Sequence, residues 1–272
     1  KVNSKEIKKL SDYISLLNVI VFNSDSIRIF KDSPSCRRKY FNIQISQINK
    51  IYLANLNNYN LVLRQRNEFL KIININKESD MSYLDILNDK YIGLSIDIYN
   101  FRRKYVDLVN KYIGDIFSSI TGLEGLKMIY TSNVSNLDKD MFKDKLKSNL
   151  SREIQYKITF IGPNRDDFYF DLNGKNLSLY GSNGQLRSAA LALKLAEVKL
   201  FTDVLSDTPI LLLDDIFSEL DIDKRNKVIK YLDNDIQTIV TTTDIENIDK
   251  NVRNKANVYK IENGKIISRE II

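Results

Sequence analysis

The stretch ILLLDDIFSELD, from Ile210 to Asp221, places two adjacent aspartates directly after four branched aliphatic residues. A short apolar run of this kind predicts a buried strand, which would normally end in something neutral. One interpretation is a solvated turn that simply ends the strand. The other is a strand that delivers an acidic ligand to a magnesium–nucleotide complex. This stretch alone leaves both interpretations open.

The composition of the whole sequence narrows the class of protein. With 272 residues the chain can bury a sizeable core and form one large domain or two smaller ones. It has no apolar run near the roughly 20 residues that a membrane span needs, and its amino terminus does not resemble a signal peptide, so a cytoplasmic protein is expected. Cys36 is the single cysteine, which excludes an internal disulfide and a thiolate zinc cluster. Because histidine is absent, carboxylates are the expected acid–base groups.

The net charge of +6 is unevenly distributed along the sequence. Residues 1–120 contain 19 Lys and Arg against 12 Asp and Glu, a balance of +7, whereas residues 121–272 contain 22 against 23, a balance of −1. The basic half holds two compact clusters, one of Arg37, Arg38 and Lys39 and one of Arg102, Arg103 and Lys104. Such clusters are candidates for DNA binding, because they neutralise phosphates and release counterions, and they are equally compatible with ordinary solvated helix faces.

The spacing of apolar residues divides the sequence into three zones. Residues 1–33 contain a strand-like run from Asn18 to Phe22, and residues 34–150 have apolar positions near the period of a helix. After residue 150 the period changes. Three segments bounded by turn residues are predicted to be strands: YKITFIG (156–162), DDFYFDL (166–172) and NLSLYG (176–181).

The last third of the sequence alternates helices with strands. The predicted elements are a helix from Gln185 to Leu205, a strand at 210–213, a helix at 224–232, a strand at 237–243 and a closing hairpin that turns at Asn263 and Gly264. This alternation favours a largely parallel sheet, whose ligand sites lie at the carboxyl ends of the strands. Asp214, Asp215 and Thr243 all fall at such ends.

A run of small residues, Gly181 to Gly184, precedes the long helix. Backbone N–H groups and the Ser182 hydroxyl could therefore approach a phosphate at the start of the helix. The alternative is a plain N-cap, in which Ser182 does no more than satisfy the first turn.

In their order, these features resemble the carboxyl-terminal half of the heads of ABC-type ATPases. The resemblance implies an α/β fold of the P-loop NTPase class, present in part, with an inserted helical lobe. The implied zones are a remnant of an amino-terminal ATP-binding lobe (1–33), a helical lobe (34–150) and an ATPase lobe (151–272). The implied roles are a signature loop at Ser182, Asn183, Gly184 and Gln185, a Walker B magnesium ligand at Asp214, a catalytic carboxylate at Asp215, a D-loop from Ser218 to Asp221 that contacts nucleotide through Asp221, and a switch at Thr243.

Within that class the sequence resembles the RecF family along essentially its whole length. The motifs that carry the resemblance are SPSCRRKYFN (33–42), LRQRNEFLK (63–71), GPNRDDF (162–168), GSNGQLRSAALALKLAE (181–197), LLLDDIFSELD (211–221) and TTTD (241–244). Arg165, Asp166 and Asp167 mark the family, and a turn between strands explains them as well as a ligand role does. Ser24 and Asp25 stand where the family usually has a proline and an acid.

A larger departure concerns the phosphate loop. No Gly-x-x-x-x-Gly-Lys-Ser/Thr occurs in the sequence, and the chain begins with Lys1. We therefore expect an incomplete polypeptide that carries only part of the active site. By itself it is expected neither to bind ATP tightly nor to hydrolyse it.

The resemblance implies that two heads sandwich two ATP molecules, each with Mg²⁺, and that this ATP-dependent homodimer closes on DNA. It also implies a recombination mediator that acts on gapped or single-strand/double-strand junction DNA, with RecR and RecO as partners in loading RecA. Most ABC heads carry Glu where this chain has Asp215, and the shorter side chain predicts slow turnover. The alternatives are another head of the SMC or Rad50 type and a non-catalytic DNA-binding scaffold.

Overall fold

The computed structural model describes residues 6, 17–75, 81–136, 138–216, 224–225, 227–228, 236–243, 245, 248, 253–254 and 256–271. Its central feature for function is a parallel sheet of three strands, β1 (Val19–Phe22), β5 (Ile210–Asp214) and β6 (Thr238–Thr241). β5 lies in the middle, with Phe22 paired to Leu213 on one side and Thr241 paired to Asp214 on the other. The carboxyl ends of the three strands therefore meet at one edge of the sheet.

The long helix α8 (Asn183–Leu205) supports this sheet and forms much of the core. Its side chains from Ala189 to Val198 are all buried, because the helix is covered on several sides. α8 begins at the capping residue Ser182 and ends where Ser206 adopts a left-handed backbone with φ of 52°. α5 (Ile113–Thr121) packs along α8 and ends at Gly122, also left-handed with φ of 75°.

Most of the preceding chain is helical. A 3-10 turn at Ser24–Ile27 leads into α1 (Arg28–Lys31), and the larger helices are α2 (Pro34–Ile48), α3 (Lys50–Ile75), α4 (Ser82–Asn110) and α6 (Lys139–Tyr156). The sequence sets where α2 and α6 begin: Ser33 and Asp138 each accept a hydrogen bond from a backbone N–H of the first turn. Pro34 sits at the first helical position of α2, where its missing N–H costs nothing.

A second sheet is antiparallel and joins the helical region to the rest. It consists of β2 (Leu126–Thr131), β3 (Asp167–Leu172) and β4 (Lys175–Asn176), in that order. A short helix, α7 (Leu177–Tyr180), follows it. β7 (Asn257–Glu262) and β8 (Lys265–Ile271) form a separate hairpin. No helix in the described part of the chain is long and apolar enough to cross a membrane.

Several predicted elements are confirmed, namely the strands at 18–22, 166–172 and 210–213, the long helix, and the hairpin that turns at Asn263 and Gly264. Two predicted strands are wrong. Residues 156–162 complete α6 and continue without regular structure, and residues 177–180 form α7, because the Asn176 side chain caps a helical turn. β2 lies inside the zone predicted to be helical, and the predicted boundary at residue 150 falls within α6. Most of the helix predicted at 224–232 lies outside the described residues.

Candidate functional site

The two aspartates of the opening stretch lie at the carboxyl edge of the parallel sheet, where they adjoin β6. The Thr241 hydroxyl donates a hydrogen bond of 2.6 Å to Oδ1 of Asp214. The backbone N–H of Asp215 reaches both the Thr241 carbonyl, at 3.2 Å, and its hydroxyl oxygen, at 3.1 Å. Thr241 thus holds the Asp214 side chain and the Asp215 backbone together. Asp214 is exposed, so its carboxylate is accessible to a ligand.

Asp215 turns the chain away from the strand. Its φ is 53°, in the left-handed region that aspartate tolerates better than most residues. Its side chain is half-buried, while that of Asp214 is exposed. The two neighbouring carboxylates therefore occupy different surroundings, which is what a division of roles between them requires.

Thr243, the predicted switch residue, is exposed two positions beyond Thr241. Among the described residues, Thr241 donates to Asp214, and the sequence interpretation gave Thr241 no role. Strand register could have found it, because Thr241 pairs directly with Asp214 across the sheet. The predicted D-loop, including Asp221, lies outside the described residues.

The predicted signature loop is exposed at the start of α8. Gln185 N–H donates to the Ser182 hydroxyl oxygen at 3.2 Å, and Ser182 N–H donates to Gln185 Oε1 at 2.8 Å, so the pair forms a capping box. The Ser182 hydroxyl keeps its own proton for a further acceptor. Asn183 Oδ1 accepts a hydrogen bond from Lys31 Nζ at 3.0 Å.

Small residues have separate reasons to stand in this loop. A Cβ on Gly181 would lie 2.5 Å from the Leu177 carbonyl oxygen, so the close approach of α7 requires glycine. A Cβ on Gly184 would meet only the Ser182 hydroxyl oxygen, at 3.9 Å. Packing within the chain therefore explains Gly181 and leaves the space above Gly184 open.

A cavity of about 330 Å³ lies near the same edge of the parallel sheet. Asn23, which follows β1 directly, lines one wall, and Leu193 and Lys194 of α8 line another. Its walls carry both signs of charge, with Asp25 and Arg28 among the lining residues. In parallel sheets, crevices beside the carboxyl ends of strands are the usual places for ligands.

The first basic cluster is largely committed to contacts within the chain. Arg37 binds the Asp167 carboxylate in a bidentate ion pair, with nitrogen–oxygen distances of 2.7 and 2.6 Å, and also donates to the carbonyl of Asp32. Arg38 donates to the backbone carbonyl of Asp166 at 2.8 Å. Burial, together with the neighbouring Arg102, lowers the pKa of Arg38. Lys39 is the exposed member of the cluster.

In the second cluster, the structure contradicts the prediction that Arg102 is a DNA contact. Its side chain is 2% exposed and forms an ion pair of 2.6 Å with the fully buried Asp166. Arg102 is therefore a core residue that cannot reach a phosphate. Arg103 and Lys104 are exposed and stay candidates. Asp166 also accepts a hydrogen bond from the Tyr130 hydroxyl, so the GPNRDDF motif uses this carboxylate inside the fold.

Another family motif serves a second buried ion pair. Arg66, in LRQRNEFLK, donates to Glu153 at 2.7 Å, and both side chains are fully buried. The same guanidinium donates to Asn88 at 2.8 Å and to the Thr159 hydroxyl at 2.6 Å. This motif ties α3 to α4, to α6 and to the segment after α6.

A third network joins two motifs that are far apart in the sequence. Lys194 donates to the Tyr40 hydroxyl at 2.7 Å, and Tyr40 and Tyr105 both donate to the buried Glu197 carboxylate. Burial lowers the pKa of Lys194 and raises the pKa of Glu197, while the attraction between the two opposes both shifts. Several residues of the family motifs therefore stabilise the fold through buried ion pairs and hydrogen bonds. The candidate functional residues are the exposed ones.

Comparison with known proteins places this arrangement in a family. No protein-family model matches the chain. The chain is 39% identical over 269 residues to a protein of Lachnospira eligens named DNA replication and repair protein RecF, and the alignment covers 98% of this chain and 73% of that protein. It is 37% identical over 273 residues to the protein of the same name from Listeria innocua, with 98% and 74% covered.

Two solved structures are also similar. The structure of the recombination mediator protein RecF-ATPrS in the RecFOR pathway has a TM-score of 0.84 at 29% identity and covers 98% of this chain and 71% of its own. The structure of RecF-ATP in the same pathway has a TM-score of 0.82 at 30% identity, with 90% and 67% covered. The predicted fold class, a partial ABC-type ATPase head with an inserted helical lobe, is confirmed by these matches. With relatives above 30% identity aligned over more than two thirds of their length, the chain belongs to the RecF family.

Proposed function

We propose that this chain supplies the signature loop and the acidic edge of an ATP-hydrolysing head, which acts in DNA replication and repair as a recombination mediator. The observation that carries the proposal is the pair Asp214 and Asp215, held by Thr241 at the carboxyl edge of the parallel sheet. The related structures are named for ATP and for ATPrS, which supports a nucleotide as the ligand. Because the sequence contains no phosphate loop, tests of activity belong in the full-length protein.

The acidic edge suits Mg²⁺ as the companion of ATP. Magnesium prefers oxygen ligands and usually keeps several waters, so a single exposed carboxylate such as Asp214 fits it. The bound ion would neutralise charge on the phosphates. Thr241 fixes the orientation of the Asp214 carboxylate, and Asp215 is proposed to orient the attacking water and accept its proton. Thr243 remains a proposed sensor of the γ-phosphate.

The exposed signature loop is proposed to act across a dimer interface. Ser182 retains a hydroxyl proton, and Asn183 and Gly184, the exposed residues of the first turn of α8, lie at the positive end of the helix dipole. Asn183, Gly184 and Gln185 complete the loop. An ATP held by a second copy of the protein would meet these donors, so ATP binding would favour a homodimer.

The proposed substrate is gapped DNA or DNA with a single-strand/double-strand junction, and the proposed partners are RecR and RecO, with RecA loaded as a result. The name of the RecFOR pathway, carried by the related structures, supports these partners. Lys39, Arg103 and Lys104 are the remaining exposed members of the basic clusters and are proposed as phosphate contacts.

A pair of substitutions in the full-length protein tests the catalytic assignment. Asp214→Ala should impair ATP-induced dimerisation and hydrolysis together, because it removes the carboxylate proposed to hold the magnesium–nucleotide complex. Asp215→Asn keeps size and hydrogen bonding but loses the negative charge. It should therefore dimerise with ATP, and its rate of hydrolysis should fall by about 10²-fold or more, as expected for loss of a general base.

Dimerisation by light scattering and phosphate release measure the two effects. Asp107→Ala, an exposed aspartate on α4, is the matched control and should behave like the parent protein. Hydrolysis at the parent rate by Asp215→Asn, or normal ATP-dependent dimerisation by Asp214→Ala, would contradict the assigned roles. In that case the interpretation of the two aspartates as a solvated turn that ends the strand gains support.

A further inference from the structure

A group of basic and aromatic side chains, exposed except for the half-buried Phe160, lies at the end of α6 and in the segment that follows. We call it the Arg–Phe cluster; it consists of Arg152, Tyr156, Lys157, Phe160 and Arg165. The guanidinium carbons of Arg152 and Arg165 lie over the Phe160 ring, 4.5 and 5.0 Å from its centroid. Arg152 also lies 6.0 Å from the centre of the Tyr156 ring, and Tyr156 is 57% exposed.

The backbone that carries this cluster is firmly held by buried groups. Thr159 donates through both its N–H and its hydroxyl to Asn67, at 2.9 and 2.7 Å. Phe160 N–H donates to the Glu153 carboxylate at 2.7 Å. Arg165 donates twice to the Thr159 carbonyl, at 3.3 Å each. The cluster is therefore largely ordered before any partner binds, which lowers the entropy cost of binding.

The surface charge of this segment is purely positive. Residues 151–166 contain two carboxylates, Glu153 and Asp166, and both are fully buried. Their charges are balanced inside the protein by Arg66 and Arg102. The exposed charges of the segment are those of Arg152, Lys157 and Arg165. The buried arginines thus leave these three cations available at the surface.

Proteins bind single-stranded nucleic acids through positive charges beside exposed aromatic rings. Phosphates are neutralised by the cations, and unpaired bases stack on the ring. Because both arginines lie over one ring, their guanidinium groups are within about 10 Å of each other, close enough to contact nearby phosphates of one strand. Duplex DNA would offer the phosphates but no unpaired base for Tyr156.

We propose that the Arg–Phe cluster binds the single-stranded part of the DNA, with phosphates on Arg152, Lys157 and Arg165 and an unpaired base stacked on Tyr156. This inference rests on the proposed function, since it assumes that the full-length protein binds DNA. In place of the buried Arg102, it assigns the contact with DNA to Arg165 and its neighbours. Arg165 and Asp166, the buried partner of Arg102, belong to the same family motif.

The test measures binding of the full-length protein, with ATP, to a fluorescent oligothymidylate and to a duplex of equal length over a range of salt concentrations. The triple variant Arg152→Gln, Lys157→Gln, Arg165→Gln should lower the slope of log affinity against log salt by about 2 on the single strand, since each phosphate contact contributes roughly 0.7. Tyr156→Ala should weaken oligothymidylate binding about fivefold or more and leave duplex binding unchanged.

Control variants distinguish an effect of the Arg–Phe cluster from a general loss of positive charge and from misfolding. Lys127→Gln, Lys175→Gln and Lys265→Gln together remove the same charge from exposed positions on β2, β4 and β8 and should leave the single-strand slope unchanged. Arg152→Lys with Arg165→Lys keeps the charge and should keep the slope. If the triple variant fails to fold, Lys157→Gln alone should still lower the slope by about 0.7.

The outcomes distinguish the two levels of the proposal. A parent protein that binds DNA, with variants of unchanged slope and affinity, overturns the Arg–Phe cluster alone. Equal weakening of duplex and single-strand binding by Tyr156→Ala overturns the assignment to single strands. A parent protein that binds neither DNA with ATP overturns the proposed function and this inference with it.

Discussion

Replacing Arg102 by methionine tests whether this residue contacts DNA or stabilises the core. The Arg102 guanidinium donates to the Asp166 carboxylate at 2.6 Å, the Pro163 carbonyl at 2.8 Å, Asn42 Oδ1 at 3.1 Å and the Tyr52 hydroxyl oxygen at 3.2 Å. Methionine replaces the aliphatic part of the arginine side chain and carries no charge. The substitution leaves the buried Asp166 carboxylate without its ion-pair partner.

The expected loss in the free energy of unfolding comes from that buried, unpaired carboxylate. Removing one member of a buried pair costs about 3–5 kcal/mol, and the Tyr130 hydroxyl, which also donates to Asp166, offsets part of it. We therefore expect a loss near the lower limit, about 3 kcal/mol. For a domain of this size, each kcal/mol lowers the melting temperature by about 2–4 °C, so Arg102→Met should melt roughly 6–12 °C lower.

Thermal unfolding by circular dichroism measures the shift, and DNA binding is measured at a temperature where the variant is folded. Arg103→Met is the matched control for stability. The Arg103 side chain is exposed, and a surface substitution changes the free energy of unfolding by less than about 0.5 kcal/mol. The reasoning is refuted if Arg102→Met melts within about 1 °C of the parent and binds DNA more weakly. That result would return Arg102 to the surface.

Two further predictions concern the candidate site. Thr241→Val keeps the shape of the side chain but removes the hydrogen bond to Asp214; we expect ATP turnover to fall roughly tenfold with little change in melting temperature, whereas Thr238→Val on the same strand should leave turnover unchanged. Gly181→Ala places a Cβ against the Leu177 carbonyl and should lower the free energy of unfolding, measured in urea, by about 1–3 kcal/mol. The control Gly184→Ala has no close contact and should change this free energy by less than about 0.5 kcal/mol. Equal effects of the two substitutions would contradict the steric explanation.

The elements that sequence patterns predicted are those fixed by local interactions. A run of four aliphatic residues gave β5, and the serine at the start of an apolar segment gave the beginning of α8. The segment NLSLYG failed because Asn176 supplies a side-chain cap, and a single capped turn outweighs alternation over so few residues. YKITFIG failed because its residues bond to side chains and not to a neighbouring strand: Thr159 donates to Asn67 of α3, 92 residues away, and Phe160 N–H donates to Glu153 of the preceding α6.

Clusters of basic residues show a different limit of sequence interpretation. Consecutive helical residues point about 100° apart, since there are 3.6 residues per turn. Three adjacent cations therefore cannot share one face, and in α4 the first points into the core while the next two face solvent. Which one is buried depends on Asp166, more than sixty residues away in the sequence. The cations of the Arg–Phe cluster, by contrast, are dispersed in the sequence and meet only through the turn after α6.

The conformation of Asp215 gives a backbone reason for an aspartate directly after the strand. Its φ of 53° is left-handed, and aspartate and asparagine adopt this region far more readily than residues with longer side chains. Its N–H is then directed at Thr241, which also holds the Asp214 carboxylate. A change to glutamate would alter reach and backbone preference together, so its effect on turnover would have two causes. Asp215→Asn preserves the backbone preference and changes only the charge. For this reason the asparagine variant is the one that tests whether the second aspartate of the opening stretch is a catalytic base or the end of a strand.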